Sequence, residues 1–314
     1  MARLGYIQVS RRCNQQCRFC SNPPMEVDLA ERQGRKLVDD LVNRGYDGVI
    51  FTGGEPTLSP LLPAFIRYAL SRNIEPRIVT NGRLIGEAGG LLDELVESGL
   101  KHIHLSIYSH KPDIVADLTG KEDSLDMALK ALDRIGRRPG GVAVDINIVI
   151  NHYNADHLDR LAAFLVERRP FIHHFVFNNL DPFMNRVAQN PDTIPGLWEF
   201  ELSLFRALRF LEQAGKTFRI ERVPLCYMVE FAHVSTETRK IVKGEDRVTH
   251  FLDDKGTVHQ TSFAHDKAGC CSLCSLDRIC AGLDGVGEGY SLDELHPVFV
   301  DPLPIIGKIL KRRG

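Results

Sequence analysis

The stretch that decides the fold is SRRCNQQCRFCS, residues 10–21. It places Cys13, Cys17 and Cys20 in the spacing C-x3-C-x2-C, directly after a short apolar run at residues 4–9. Three thiolates this close together on one loop can hold three irons of an iron–sulfur cube. Ferredoxin-type clusters are closed by four cysteines, and no fourth cysteine lies near these three in the sequence. The spacing therefore predicts a cluster in which one iron stays open to an exogenous ligand.

A zinc site is the main alternative for this loop. Zinc-binding elements usually combine two C-x2-C units, or one such unit with histidines further along the chain. A cysteine triplet spaced x3 and then x2 fits that pattern poorly, so the spacing favours an iron–sulfur cluster.

The loop resembles that of radical S-adenosylmethionine (radical SAM) enzymes, with Phe19 in the aromatic position before the third cysteine. The resemblance implies that the three cysteines hold a [4Fe-4S] cluster and that SAM chelates the open iron through its amino and carboxylate groups.

A second motif supports this resemblance. Gly53-Gly54-Glu55-Pro56 follows the second predicted strand and resembles the GGEP motif of the family, whose backbone holds the SAM amino group. Glycines let a ligand approach the backbone closely, and a carboxylate accepts hydrogen bonds from an ammonium group. We therefore expect all four residues to take part in SAM binding.

The composition is that of an ordinary globular protein, with 314 residues, 43% hydrophobic and 25% charged. The net charge of −2 predicts no nucleic-acid partner and no membrane partner. No run reaches the roughly 18 apolar residues that a membrane-spanning helix needs. We therefore expect a cytoplasmic protein, in which eight cysteines indicate metal or redox chemistry rather than disulfides.

Strand-like and helix-like segments alternate through the first two-thirds of the chain. We predict strands at residues 4–9, 48–52, 76–80, 102–107, 142–150 and 172–177, with helices between them. Such units with short connections predict an α/β fold with a parallel sheet and helices outside. Periodicity leaves open whether the sheet is flat or curved; the family resemblance implies a partial (β/α)6 TIM-like barrel. Ligands of either fold bind at the carboxyl ends of the strands.

Four further residues are candidate SAM contacts. Asn81 and Ser106 correspond to positions that often face the SAM ribose and carboxylate in the family, Ile148 is a candidate for packing on the adenine, and Phe19 for stacking near the nucleoside. Each also has a purely structural interpretation. Polar residues at strand ends often serve turns, a strand isoleucine usually belongs to the core, and an aromatic ring can simply close the barrel mouth.

A second group of cysteines lies towards the C-terminus. Cys271, Cys274 and Cys280 are spaced C-x2-C-x5-C, and Cys226 lies upstream. The run resembles part of the SPASM and twitch domains of radical SAM enzymes, which implies one auxiliary [4Fe-4S] cluster closed by four thiolates. A zinc ribbon is the alternative. Cys270 is the spare cysteine in this assignment because Cys271 restores the x2 spacing.

The pattern changes after the helix predicted at residues 197–213. Residues 218–223 are strand-like, and residues 248–252 and 257–262 read as a β-hairpin. We therefore predict a radical SAM partial barrel over residues 1–221 and a small α+β auxiliary-cluster domain over residues 222–314. Because Cys13 lies near the first residue, we expect no peptide-recognition domain ahead of the barrel.

The resemblance implies a radical SAM oxidoreductase or maturase. Such an enzyme cleaves SAM to a 5′-deoxyadenosyl radical, with electrons from a flavodoxin or ferredoxin-type donor, and abstracts a hydrogen atom from a substrate. The main hypothesis is a net oxidation or crosslink of a peptide or a small metabolite. The alternatives are a peptide epimerase or a small-molecule rearrangement with Cys270 as hydrogen donor and, from another class, a non-catalytic iron–sulfur electron carrier.

Overall fold

The computed structural model describes residues 3–22, 25–87, 89–138, 141–183, 186–287 and 289–311. Within these ranges the chain forms one nine-stranded sheet in the spatial order β7-β6-β5-β4-β3-β2-β1-β8-β9. The strands are β1 (Leu4–Ser10), β2 (Gly48–Gly53), β3 (Glu75–Thr80), β4 (His102–Ser106), β5 (Ala143–Ile150), β6 (His174–Asn179), β7 (Thr217–Glu221), β8 (Arg247–His250) and β9 (Thr257–Gln260).

The sheet is parallel over most of its width. Strands β1 to β7 each pair in parallel with their neighbours in the chain, and β8 pairs in parallel with β1. Strand β9 runs antiparallel to β8. Within the described ranges β7 and β9 have no second strand partner, so the sheet stays open. The predicted α/β partial barrel is confirmed.

Helices lie between the strands of the sheet, except for the last helix, which follows β9. They are α1 (Glu31–Asn43), α2 (Leu62–Ser71), α3 (Arg83–Gly86), α4 (Leu91–Glu97), α5 (Pro112–Thr119), α6 (Ser124–Gly136), α7 (Leu158–Arg168), α8 (Leu197–Gln213), α9 (Thr236–Lys243) and α10 (Leu303–Lys311). Helix α6 shows why they form, because its apolar residues recur every three or four positions and are buried on one face. Those residues are Leu125, Ala128, Ala131, Leu132 and Ile135. No helix in the described ranges combines the length and apolar character that a membrane span requires.

The C-terminal part of the chain supplies both edges of the sheet. Strand β7 pairs with β6 at one edge, and the β8–β9 hairpin pairs with β1 at the other. The hairpin itself is as predicted, but it lies in the barrel sheet and not in a separate sheet. A hairpin is set by its local turn, whereas its neighbour in the sheet is set by long-range packing that the sequence pattern does not contain. The domain boundary near Glu221 stays a prediction.

Candidate active site

A cavity of about 640 Å³ lies inside the barrel and reaches the carboxyl ends of the strands. The carboxyl ends of the first four strands meet there, whereas Asn151 after the fifth strand is buried outside the lining. The sequence-predicted residues that line it are Cys13, Cys17, Phe19, Cys20, Gly53, Gly54, Glu55, Asn81 and Ser106.

The three cysteines of the loop after β1 are partly buried in the cavity wall. Burial raises the pKa of Cys13 to about 11, and it raises the pKa of Cys17 and Cys20 as well. Three thiolates here would be poorly hydrated and would repel one another, so they need a bound cation to hold them in the charged form. Soft thiolate ligands select iron–sulfur clusters, zinc or Cu(I). The donor set therefore fits the predicted cluster.

The cysteine loop is fixed to the end of α5. The backbone N–H groups of Gln16 and Arg18 donate to the carbonyls of Thr119 and Leu118, at 2.8 and 2.9 Å. The last carbonyls of a helix lack partners within the helix. The loop satisfies two of these carbonyls, which fixes its position over the cavity.

Both glycines of the GGEP motif are required by the cysteine loop itself. The N–H of Gly54 donates to the carbonyl of Ser10 at 2.8 Å, and the N–H of Glu55 donates to that of Arg12 at 2.7 Å. A Cβ on Gly53 would lie 2.0 Å from the oxygen of Ser10, and Gly53 has a φ of +136°. A Cβ on Gly54 would lie 2.3 Å from the oxygen of Arg12. The motif and the loop are thus packed backbone against backbone.

The Glu55 carboxylate is buried and accepts four hydrogen bonds from the protein. Its Oε1 accepts from the Thr57 N–H (3.1 Å), the Thr57 hydroxyl (2.6 Å) and the Thr80 hydroxyl (2.7 Å), and its Oε2 accepts from the Asn81 N–H (2.8 Å). Burial raises the pKa of Glu55, and these donors oppose that rise. A carboxylate has about four acceptor positions. Three of the four bonds fall on Oε1 and one on Oε2, so Oε2 keeps an acceptor position, and contacts of the ammonium group with this side chain and with the backbone both stay predictions.

Asn81 and Ser106 lie in the cavity wall with partners from neighbouring segments. The Asn81 amide donates to Asn14 Oδ1 in the cysteine loop at 2.8 Å. The Ser106 hydroxyl is hydrogen-bonded to the Tyr108 hydroxyl. Tyr108 also lines the cavity, and the sequence reasoning missed it because it follows the end of β4 in an irregular segment. The roles of Asn81 and Ser106 towards SAM stay predictions.

Phe19 packs into the wall of the barrel. Its ring meets Tyr108 edge to face, with the ring centroids 4.8 Å apart. It belongs to a small apolar cluster with Leu118, Leu180 and Val187 and is only 5% exposed. These contacts close the barrel mouth on this side, whereas stacking on a nucleoside stays a prediction.

The assignment of Ile148 to the adenine site was wrong. Ile148 is fully buried in the core and does not line the cavity, whereas Asn147 and Val149 on either side do. Side chains alternate between the two faces of a strand. The residues next to Ile148 therefore face the cavity, whereas Ile148 itself faces the hydrophobic core. Pro56 also lies outside the lining, buried at the start of a short 3₁₀ helix.

The sequence reasoning missed a set of polar residues that face the barrel interior. Asn147 and Asn178 are joined by a hydrogen bond of 2.6 Å from Asn178 Nδ2 to Asn147 Oδ1. Arg219 and Glu221 on β7 and Arg247 on β8 also line the cavity. A parallel sheet covered on both faces has strands that are apolar throughout. The alternation of polar residues in the predicted strands therefore indicates that the interior of the barrel is polar.

Two histidines meet a buried aspartate within the barrel. His102 Nε2 lies 2.9 Å from Asp145 Oδ1, and His104 Nδ1 lies 3.2 Å from Asp145 Oδ2. Burial acts to raise the pKa of Asp145, but the hydrogen bond from His102 and the nearby His104 lower it to about 2. The carboxylate therefore stays charged at neutral pH.

The predicted auxiliary ligands also come together. Cys226, Cys271, Cys274 and Cys280 line one small pocket of about 20 Å³. The sulfurs of Cys274 and Cys280 accept backbone N–H groups at 3.3 and 3.4 Å, which favours the thiolate form of a ligand. Cys270 is outside the lining, with its Sγ 3.4 Å from the carbonyl of Leu295. This arrangement supports Cys271 over Cys270 as the fourth ligand.

Known proteins resemble this chain in both sequence and fold. PqqA peptide cyclase from Granulibacter bethesdensis is 29% identical over 158 residues, which cover 49% of this chain and 41% of that protein. Fe-coproporphyrin III synthase from Methanosarcina barkeri is 28% identical over 165 residues, covering 51% and 40%. The matched region thus spans about two-fifths of the length of these curated relatives.

Solved structures extend the likeness over nearly the whole chain. Streptococcus suis SuiB bound to S-adenosylmethionine superposes with a TM-score of 0.66 at 17% identity, covering 95% of this chain and 76% of SuiB. Native anSMEcpe with bound AdoMet gives 0.61 at 13% identity, covering 98% and 96%. The profile of the radical SAM superfamily matches residues 7–165, which is 159 of the 314 residues. Because this match spans more than half of the chain and includes both the cysteine loop and the GGEP motif, the chain belongs to the radical SAM superfamily.

Proposed function

We propose that this protein cleaves SAM reductively and oxidises or cross-links a peptide. The observation that carries the proposal is that the three-cysteine loop and the GGEP backbone border one cavity inside the barrel. The cavity lining in the described part of the chain contains no fourth cysteine. An open coordination position and room for a substrate therefore lie in the same space, which a simple electron carrier does not need.

In this proposal, different parts of the chain hold the cluster, bind SAM and surround the substrate. Cys13, Cys17 and Cys20 would hold the cluster, and the backbone of residues 53–55 would bind the SAM amino group. The bound cluster and SAM supply the one-electron reduction and the hydrogen-atom abstraction. The barrel wall orients the substrate and keeps water away from the reacting atoms.

Cys226, Cys271, Cys274 and Cys280 would hold an auxiliary [4Fe-4S] cluster in the domain proposed for residues 222–314. Four protein ligands leave no iron for the substrate, so the group would serve as an electron acceptor and make the net reaction an oxidation. Cys226 follows Arg222 by four positions, and Arg222 lines the cavity. The auxiliary pocket is therefore connected to the substrate cavity by a short segment of chain.

The names of relatives support a peptide substrate. One is PqqA peptide cyclase, and one SuiB structure contains the precursor peptide SuiA. A small metabolite is the second candidate, favoured by the likeness to Fe-coproporphyrin III synthase. We also propose a flavodoxin or ferredoxin-type electron donor. None of the eight cysteines is paired in a disulfide, as is usual in a reducing compartment, and we propose a cytoplasmic location.

The experiment is anaerobic turnover with dithionite and SAM, followed by measurement of 5′-deoxyadenosine. We expect release by the wild type and none by Cys13→Ala, Cys17→Ala or Cys20→Ala, with Cys270→Ala as the matched cysteine control. Iron should fall from about eight atoms to about four in the triple variant, because each cube holds about four. Release that persists in all three single variants, or zinc in place of iron, would contradict the proposal.

A further inference from the structure

Two arginines enter the barrel from the strands that border its opening. Arg219 is the third residue of β7 and Arg247 is the first residue of β8, and both line the cavity. Their guanidinium groups meet at one carboxylate: Arg219 Nη2 lies 3.7 Å and Arg247 Nη2 lies 3.5 Å from Glu221 Oε1. Two cations thus face a single anion.

Neither guanidinium has its hydrogen bonds filled by the described residues. Both distances to Glu221 exceed the 2.7–3.2 Å typical of an N–H···O hydrogen bond. Each guanidinium has five N–H donors, and Arg219 Nε is buried without an acceptor. The side chains keep 22% and 19% of their surface exposed, and both contribute to the lining of the cavity. Unfilled donors on buried cations are costly, so this wall is suited to an anionic ligand.

Glu221 is the carboxylate at ion-pair distance from both arginines, and the charge of Asp145 acts on Arg219 from further away. Burial alone would raise the pKa of Glu221, but Arg247 and Arg219 hold it below its usual value, so Glu221 carries one negative charge. Burial and the neighbouring Glu221 raise the pKa of Glu237. Arg222 lies 3.5 Å from Asp284 and is balanced by it. Among the described residues, Arg219 and Arg247 therefore share a single carboxylate at ion-pair distance.

Arg247 lies away from the cysteine loop but in the same cavity. Strand β1 pairs with β8 through Tyr6 and Thr249, so Arg247, two residues earlier, is near the amino ends of the strands. The cysteine loop follows the carboxyl end of β1. A molecule held by the arginines thus shares this cavity with the predicted SAM site.

We propose that Arg219 and Arg247 bind a carboxylate carried by the substrate, with Glu221 positioning the two side chains. The planar guanidinium matches the two oxygens of a carboxylate in a bidentate contact. This inference rests on the proposed function and adds to it the chemical class of the substrate group.

The test uses anaerobic protein containing its iron and SAM, with two capped tripeptides as probes. Acetyl-Ala-Glu-Ala-amide carries one carboxylate, and acetyl-Ala-Gln-Ala-amide is its neutral match. By isothermal titration we expect the acidic peptide to bind about tenfold or more tightly than the neutral one, since hydrogen bonds to charged groups are the strong ones. Arg219→Gln and Arg247→Gln should each remove this preference, and Arg219→Lys should retain part of it because the charge remains.

Arg206→Gln, on the exposed face of α8, is the matched control and should keep the preference. Iron content and thermal unfolding show whether each variant is folded. Equal binding of the two peptides by the wild type, or no binding of either, overturns the inference. So does a loss of SAM affinity with an unchanged peptide preference, because the arginines would then hold the SAM carboxylate. Cleavage of SAM by the wild type is measured separately, so failure of the proposed function is distinguishable.

Discussion

Replacing Glu55 with glutamine separates a structural role of the GGEP carboxylate from a role in SAM binding. The amide of glutamine can keep an oxygen at the Oε1 position, which accepts from Thr57 and Thr80. It then places an NH2 group at the Oε2 position, opposite the Asn81 N–H that donates there at 2.8 Å in the wild type. One charge-assisted hydrogen bond is lost and two donors face each other. We expect the free energy of unfolding to fall by about 2 kcal/mol.

The assay combines urea unfolding with SAM binding to the reconstituted protein. Glu55 is 1% exposed and its carboxylate already accepts four hydrogen bonds from the protein, so we expect a mainly structural role and a change in SAM affinity of less than about threefold. Glu97→Gln, an exposed residue at the end of α4, is the matched control and should change neither quantity. Thr80→Val removes one donor to the same carboxylate and should also lower stability.

The opposite pattern would refute this reasoning. If Glu55→Gln left unfolding unchanged and weakened SAM binding tenfold or more, the carboxylate would be a ligand of SAM and the four hydrogen bonds would be incidental. A loss of both quantities to the same degree in Thr80→Val would instead indicate that the whole end of β3 carries the SAM site.

Three further predictions follow from the packing and the charges. Gly54→Ala should destabilise the protein by about 2 kcal/mol in thermal unfolding, because its Cβ would lie 2.3 Å from a backbone oxygen of the cysteine loop, whereas Gly307→Ala meets nothing within 4 Å and should not. The pKa of Asp145 is lowered from 3.8 to about 2, so its charge stabilises the fold above pH 3.8, and that contribution is lost as the pH falls towards 2. In urea unfolding, Asp145→Asn should lower the free energy of unfolding by about 2 kcal/mol at pH 7 and by less at pH 3. Cys271→Ala should lower the iron content from about eight atoms to about four, and Cys270→Ala should leave it at about eight; the reverse result would exchange the two assignments.

Local features of the sequence predicted the fold and the cysteine-bearing wall of the cavity. Strand and helix periodicity placed the first six strands within two residues of their observed bounds. The cysteine loop and the GGEP motif could be placed together because parallel strands bring their carboxyl ends to one edge. Long-range pairing could not be predicted in this way. The β8–β9 hairpin was recognised from its turn, yet its place beside β1 depends on packing across about 240 residues of chain.

The residues that face the barrel interior were the hardest to predict, and β5 shows why. Ile148 and Val149 are both apolar, so composition does not say which one faces the cavity. The polar neighbours show which one it is. Asp145 and Asn147 are on the same face of the strand as Val149, and a strand face with polar groups must border a polar space. Reading the alternation from Asn147 would have assigned the interior correctly and excluded Ile148.

The position of the arginines bears on how far the superfamily likeness reaches. The matched region ends at residue 165, so it includes the cysteine loop and the GGEP motif and stops before Arg219, Glu221 and Arg247. The C-terminal part of the chain adds the strands that carry these three residues, and they line the same cavity as the cysteines. The family match therefore accounts for the residues expected to hold the cluster and SAM, and it does not include the wall that carries these three residues. Under the carboxylate proposal, these wall residues determine which substrates bind, even where a relative shares the whole SAM-binding half.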